Sequence, residues 1–202
     1  RIDRWVLQRA CEQQQQWQLS RFPQSTTSIN VSGGQFARSE FLDYLRELTI
    51  RYDIEPDSLE IEITEGVLMQ DARAAKKTLA QIKDLGFRVA IDDFGTGYSS
   101  LSYLKNFAVD VLKIDRSFVM DLEADESNRS ICRAILGLAR SLDLEVVAEG
   151  VETEAQFNFL RDEGCQQIQG YWVARPEPID RFEDFVLTSV GPGLVAPTSR
   201  AS

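Results

Sequence analysis

Short apolar runs alternate with amphipathic stretches along most of this chain. Six runs read as strands: residues 27–31, 58–63, 87–91, 109–114, 145–148 and 167–171. Helical stripes lie between them. Phe41, Leu42, Leu45 and Leu48 form one stripe. Ala72, Ala75, Leu79 and Ile82 form another, ended by Gly86. Ile131, Ala134, Ile135, Leu138 and Leu142 form a third, and Phe157 and Leu160 mark a fourth, ended by Gly164. Strand–helix alternation with little hairpin chemistry predicts parallel strands joined by right-handed crossovers. A doubly wound sheet and a (β/α)8 barrel both satisfy that pattern.

Side-chain parity separates the two. Leu59, Ile61 and Ile63 share one strand face, suited to covering helices, while Glu60 and Glu62 share the other. The polar parity recurs as Ser28 and Asn30, Arg88 and Asp92, Lys113 and Asp115, Glu149 after Val147, and Gln167 and Gln169. Polar residues gathered at nearly every strand end predict the C-terminal mouth of a barrel. A doubly wound sheet concentrates them at one switch point. Deeper in such a barrel Glu60 needs a partner, because a lone buried charge is costly, and Arg88 on the next strand is the expected one.

Size and charge narrow the functions. The 202 residues suffice for one domain with a substantial core, and 43% hydrophobic with 27% charged residues is ordinary for a globular protein. A net charge of −10 argues against a DNA or RNA duplex or an anionic membrane surface as partner. It leaves a small phosphate ligand open, because metals can supply local positive charge. Cys11, Cys132 and Cys165 are widely spaced and read as reduced thiols, without zinc spacing, which points to a cytoplasmic domain. No run is apolar enough to span a bilayer, so any membrane anchor of a parent protein lies outside this segment. The glutamines at 13–16 are too few to mean more than a polar helix face. The chain opens on Arg within a helical pattern, as expected of a piece of a longer protein. Residues 1–188 read as the domain and 189–202 as a flexible tail or linker.

The densest chemistry sits at Ile91-Asp92-Asp93-Phe94-Gly95-Thr96-Gly97-Tyr98-Ser99-Ser100. Two adjacent carboxylates at a strand end repel, and one takes a proton unless a cation holds both. A glycine turn with a helix cap is the plainer alternative. Asn30, Glu62, Asp92, Asp93, Lys113, Asp115, Glu149, Glu152 and Gln169 all fall at strand ends, and six are acids against one base. The chain has no His, so oxygen donors favour Mg2+ or Mn2+. Asp92 and Asp93 are placed to bridge or divide two metals, an arrangement suited to phosphodiester hydrolysis.

Asn30-Val-Ser, Glu62-Ile-Thr-Glu65, Asp92-Asp93-Phe-Gly-Thr-Gly-Tyr-Ser-Ser, Lys113-Ile-Asp115, Glu149-Gly-Val-Glu152 and Gln169-Gly170-Tyr171 occur in this order. Together, over residues 1–188, they closely resemble the EAL domain of bacterial cyclic-di-GMP phosphodiesterases. The resemblance implies a (β/α)8 TIM-like barrel and metal-dependent hydrolysis of cyclic di-GMP to linear pGpG. It implies Asn30, Glu62 and Asp92 as ligands of a first Mg2+ or Mn2+, and Asp92, Asp93 and Glu149 as ligands of a second, with Ca2+ a candidate inhibitor. Lys113 and Glu152 would orient the attacking water, with Glu149 also considered as its base and Gln169 supporting water or phosphate. Lys113 is expected to handle a proton because metals nearby depress its pKa. Asp115 is a candidate substrate contact or support for the ligands. Glu65 would anchor the loop of Phe94, Gly95, Thr96, Gly97, Tyr98, Ser99 and Ser100, which couples metal binding to homodimerisation. Sensor or GGDEF domains fused upstream are expected partners.

One part of the pattern is missing. The family's Glu-Ala-Leu motif, whose glutamate is a metal ligand, has no counterpart; the only Glu-Ala pair is Glu154-Ala155. The chain reads as lacking the first two strands of the barrel, with residues 1–17 matching the helix after that motif. A piece of a longer active enzyme is the expected explanation, and weak or no hydrolysis is expected of these residues alone. The competing reading is a receptor module that binds cyclic di-GMP without cleaving it. An interaction module that neither binds nor cleaves is a third reading, and a metal-dependent aldolase- or enolase-like barrel, a fourth, would not need the whole ordered motif set. Asp-Phe-Gly also occurs in kinases, but neither their glycine-rich loop nor a His-Arg-Asp motif accompanies it.

Overall fold

In the computed structural model, residues 2–20, 22, 25–97 and 101–189 are described. Helix α1 (Ile2–Gln18) leads into strand β1 (Thr27–Asn30), then α2 (Gly33–Phe36) and α3 (Glu40–Tyr52). Strand β2 (Leu59–Thr64) follows, with α4 (Glu65–Gln70), α5 (Ala72–Asp84), β3 (Arg88–Phe94) and α6 (Leu101–Leu104). The chain continues through β4 (Val111–Ile114), α7 (Arg116–Met120), α8 (Glu126–Ser141), β5 (Glu145–Glu149), α9 (Glu154–Asp162), β6 (Gln167–Gln169) and α10 (Ile179–Ser189). Caps set several helix starts. Asp71 accepts from the Ala74 amide at 3.0 Å, Asp125 from Ser127 at 2.7 Å, and Thr153 with Gln156 forms a reciprocal capping box at α9.

All five strand pairs are parallel, in the spatial order β1-β2-β3-β4-β5-β6. A sheet whose spatial order equals its chain order, each strand returning through a helix, is six-eighths of a (β/α)8 barrel. The outward face carries Ile61, Ile63, Val89, Ile91, Leu112, Ile114, Val146 and Ala148, all buried. Leu45, Leu79, Ile82, Ile135, Ala139 and Leu160 cover it from the helices. Among the described residues no helix is long and apolar enough to cross a membrane.

The inward face is layered. At the base, Ser28 donates to Glu60 at 2.9 Å, Arg88 reaches Glu60 at 3.3 Å and Glu145 at 2.9 Å, and Gln167 donates to Glu145 at 3.0 Å. Arg88 is thus the partner expected for Glu60, and it serves Glu145 as well. Ala90, Val111 and Val147 form a thin apolar layer above. The polar strand ends form the third layer. Arg88→Met, which leaves two acids without their cation, is expected to cost about 1–3 kcal/mol in urea unfolding at pH 7, below the full buried-pair penalty because water reaches this layer.

Strand limits differ from the expected ones by one to three residues, and two of the differences bear on the site. β3 runs on to Phe94 instead of stopping at 91, and β6 stops at Gln169 instead of 171. In the first case a bulge keeps the chain on the sheet. In the second the backbone leaves to bond Val151, whose carbonyl accepts from Trp172 at 2.9 Å. The expected tail lies outside the described residues from 190 onward.

Candidate functional site

Strand register delivers the site. Asn30 pairs with Glu62, Thr64 with Asp92, and Glu149 with Gln169, so one rim collects the C-terminal strand ends. Lys113 stands at its centre. Its Nζ lies 2.6 Å from Glu149 Oε1, 2.8 Å from Glu62 Oε1 and 3.4 Å from Asp92 Oδ1. Glu62 and Lys113 are only 4% exposed and Asp92 9%, so these charges cannot rely on water and must answer one another. Beside them opens a cleft of about 470 Å³, lined among others by Glu60, Glu62, Lys113, Val147, Gln169 and Phe182.

Adjacent strand residues ordinarily face opposite ways, yet both aspartates face this rim. The cause is a β-bulge. Ile91 and Phe94 pair with Leu112 and Ile114, so β3 carries one extra residue. Asp93 adopts φ 54°, a left-handed conformation that aspartate tolerates better than most residues. Its amide donates to Asp92 Oδ1 at 3.0 Å. Carboxylate oxygens of Asp92, Asp93 and Glu149 consequently fall within 4.8 Å of one another.

Crowding acids with little water around them perturbs their ionisation. Burial first, then the charges of Asp92 and Glu60, push Glu62 upward against the pull of Lys113. Burial likewise raises Glu149, helped by Asp92 and Asp93. Asp93 is raised by burial, by Asp92 and by Asp115. For Lys113 burial alone pulls the pKa down, but hydrogen bonds and charges from Glu149 and Glu62 together lift it above the usual lysine range. Without a cation in the site, the ammonium is therefore held charged by these carboxylates. Cations would have to displace these carboxylates before Lys113 could give up its proton easily. An all-carboxylate donor set, strained by its own repulsion, fits hard divalent cations such as Mg2+ or Mn2+.

The remaining candidates take varied places. Asn30 is exposed at the end of β1, beside Glu62 in register, and Gln169 is exposed at the end of β6. Asp115 caps α7, accepting from the Ser117 amide at 3.0 Å, and faces Asp93. Glu65, buried at the start of α4, accepts from the Gly95 amide at 3.0 Å. A Cβ added at Gly97 would lie 3.1 Å from Glu65 Oε1, so the loop passes closely over that carboxylate. Phe94 is buried, and the Thr96 hydroxyl donates to the Asp93 carbonyl at 2.9 Å. Tyr98, Ser99 and Ser100 lie outside the described residues. Glu152 does not join the cluster: its carboxylate meets Arg116 at 3.0 Å. Arg116 escaped the sequence reading, although one signal was available. Lys113 and Arg116 share the three-residue spacing of Glu149 and Glu152.

The three cysteines stay apart from this chemistry. All are free, and burial pushes the Cys11 and Cys132 thiols up to about 12, where they are unreactive.

Comparison with known proteins agrees with the geometry. The family model described as EAL domain matches residues 1–176. The chain is 42% identical over 181 residues to the bifunctional diguanylate cyclase/cyclic di-GMP phosphodiesterase MucR of Pseudomonas aeruginosa, covering 90% of this chain and 26% of that protein. It is 39% identical over 185 residues to the cyclic di-GMP phosphodiesterase NbdA of the same organism, covering 92% of this chain and 24% of that protein. The chain thus spans about a quarter of these curated relatives. A solved structure of the MucR phosphodiesterase in complex with c-di-GMP superposes with a TM-score of 0.88 at 42% identity, covering 90% of this chain and 73% of that one. The parallel sheet in barrel order, the acids at its rim and these matches together place this chain in the EAL domain family.

Proposed function

We propose that this domain serves the metal-dependent hydrolysis of cyclic di-GMP to linear pGpG. One observation carries the reading: oxygens of Asp92, Asp93 and Glu149 converge within 4.8 Å beside the Lys113 ammonium, on the barrel rim of an EAL chain. Two relatives named as cyclic di-GMP phosphodiesterases support the substrate. Asn30, Glu62 and Asp92 would hold one Mg2+ or Mn2+, and Asp92, Asp93 and Glu149 another. Bound there, the cations supply Lewis acidity and neutralise charge on the phosphodiester.

The chain's own groups do the rest. Glu149 or Glu152 accepts the proton of the attacking water at a carboxylate oxygen. The water oxygen bonds to phosphorus, the bond from phosphorus to the ribose 3′ oxygen breaks, and that oxygen leaves as a hydroxyl after taking a proton. Lys113 Nζ, with protons to donate, orients the water or a phosphate oxygen. The Gln169 amide supports the same atoms. Glu65 holds the loop over the rim through the Gly95 amide.

The test is incubation of the domain, within its longer protein, with cyclic di-GMP and Mg2+ or Mn2+, followed by chromatography for pGpG. Product that disappears with EDTA supports hydrolysis. Binding without product points to a receptor instead, and neither binding nor product overturns both. Metal binding has its own readout. Raised acid pKa values mean that protons are held more tightly in the folded than in the unfolded state. The contribution of Glu62, Asp93 and Glu149 to stability is therefore fully present below the unfolded carboxylate pKa and is lost as pH rises through the folded one. Mn2+ competes with those protons and relieves the repulsion they leave behind. It is expected to raise the melting temperature more at pH 8 than at pH 5, and not at all in Asp92→Asn.

A further inference from the structure

We propose that Arg116 is a positioning residue that fixes the carboxylate of Glu152, and that it acts as one half of a two-rung ladder between neighbouring segments. Two cations three residues apart, Lys113 and Arg116, face two acids three residues apart, Glu149 and Glu152. Each acid takes one cation: Lys113 Nζ lies 2.6 Å from Glu149, and Arg116 Nη2 lies 3.0 Å from Glu152.

The backbone explains why the side chain needs help. The turn between the two acids is pinned on every side. The Val151 amide donates to the Gln169 carbonyl at 3.1 Å, and the Glu152 and Thr153 amides donate to Gln156 Oε1 at 2.7 and 3.0 Å. Only the side chain of Glu152 remains to be directed. Arg116 is placed to direct it because its stem lies across Gly150. A Cβ there would sit 2.3 Å from Arg116 Cγ, and Gly150 holds φ +71°, so glycine meets both demands. The stem is thus fixed against the turn while the guanidinium reaches past it to Glu152.

Sorting matters because the acids are not equivalent in their surroundings. Lys113 already answers three carboxylates, and a fourth would add repulsion without a cation to match it. Arg116 keeps Glu152 out of that cluster. At 53% and 40% side-chain exposure the rung is weak enough for Glu152 to be drawn inward when substrate arrives. The role in turnover rests on the hydrolytic reading above; the pairing itself does not.

The experiment is a double-mutant cycle in the longer protein. Arg116→Ala is expected to lower kcat about tenfold, with KM for cyclic di-GMP within about twofold and the melting temperature unchanged. Arg116→Lys is expected to recover most of that loss. In a Glu152→Gln background Arg116→Ala is expected to add almost nothing, because the group it positions is gone. Equal losses in both backgrounds, or a loss carried by KM alone, would overturn the proposal. A second measurement stands free of turnover. The 13C carboxyl resonance of Glu152, identified by its loss in Glu152→Gln, is expected to move in Arg116→Ala. A protein without hydrolytic activity defeats the functional reading, whereas a resonance that stays in place defeats the pairing.

Discussion

Lys113→Met is expected to be the most damaging change at the site, costing about 3–5 kcal/mol of stability at pH 8 and abolishing hydrolysis. Methionine matches the lysine stem in length, so packing is largely kept. What is lost is the only cation in contact with Glu62, Asp92 and Glu149 among the described residues. Two of these acids already hold protons more tightly than ordinary carboxylates, because burial opposes their charge. Without Lys113 their folded pKa values rise further, while the unfolded values stay put. The sign follows directly: the variant suffers little at pH 4, below the unfolded pKa. Its deficit then grows by about 1.4 kcal/mol per pH unit for each proton that the folded variant holds and the folded unsubstituted protein does not. Urea unfolding of both proteins between pH 4 and pH 8 measures this. Added Mn2+ is expected to return part of the loss at pH 8, since a divalent ion answers the same acids. A deficit equal at every pH would mean that Lys113 matters for packing and not for charge.

Gly170→Ala is expected to cost about 2–4 kcal/mol and to lower activity with it. The reason is contact, not conformational freedom. A Cβ at this position would come within 2.2 Å of the Val151 carbonyl oxygen and 2.4 Å of its nitrogen. Both are backbone atoms, and the Val151 amide is bonded to the Gln169 carbonyl, so neither side can yield cheaply. Relief requires β6 to part from the turn that follows β5. That movement shifts Gln169 and the Glu149–Glu152 turn together, so thermal stability and turnover should fall in the same variant. A drop in melting temperature with full activity would show that the two segments move independently of the site.

Much of this architecture was legible before any coordinates. Alternating stripes gave all six strands to within a few residues, and parity put Glu60 and Glu62 on the inner face. Charge logic alone paired Glu60 with Arg88, because a buried acid needs a cation and the next strand offered one at the matching parity. Other features could not be read in this way. Parity puts Asp92 and Asp93 on opposite faces, and the bulge that brings both to the rim is a matter of register between β3 and β4. Glu152 looked like part of the cluster from its place in Glu149-Gly150-Val151-Glu152, yet its partner is Arg116. Glu145 joins the base of the barrel through Arg88, a bond across two strands.

By itself, then, the sequence determined the order of elements, which face of each strand is polar, and which residue types gather at the strand ends. Those properties are local: they follow from periodicity and from the cost of burying unpaired charge. Tertiary structure alone decided that Glu62, Asp92 and Glu149 gather on Lys113 while Glu152 meets Arg116, that Lys113 is held charged by its neighbours, and that two adjacent aspartates share one face. These depend on distances of a few ångströms between segments far apart in the chain. Electrostatic energy in a dry site varies so steeply with distance that only the folded arrangement sets it.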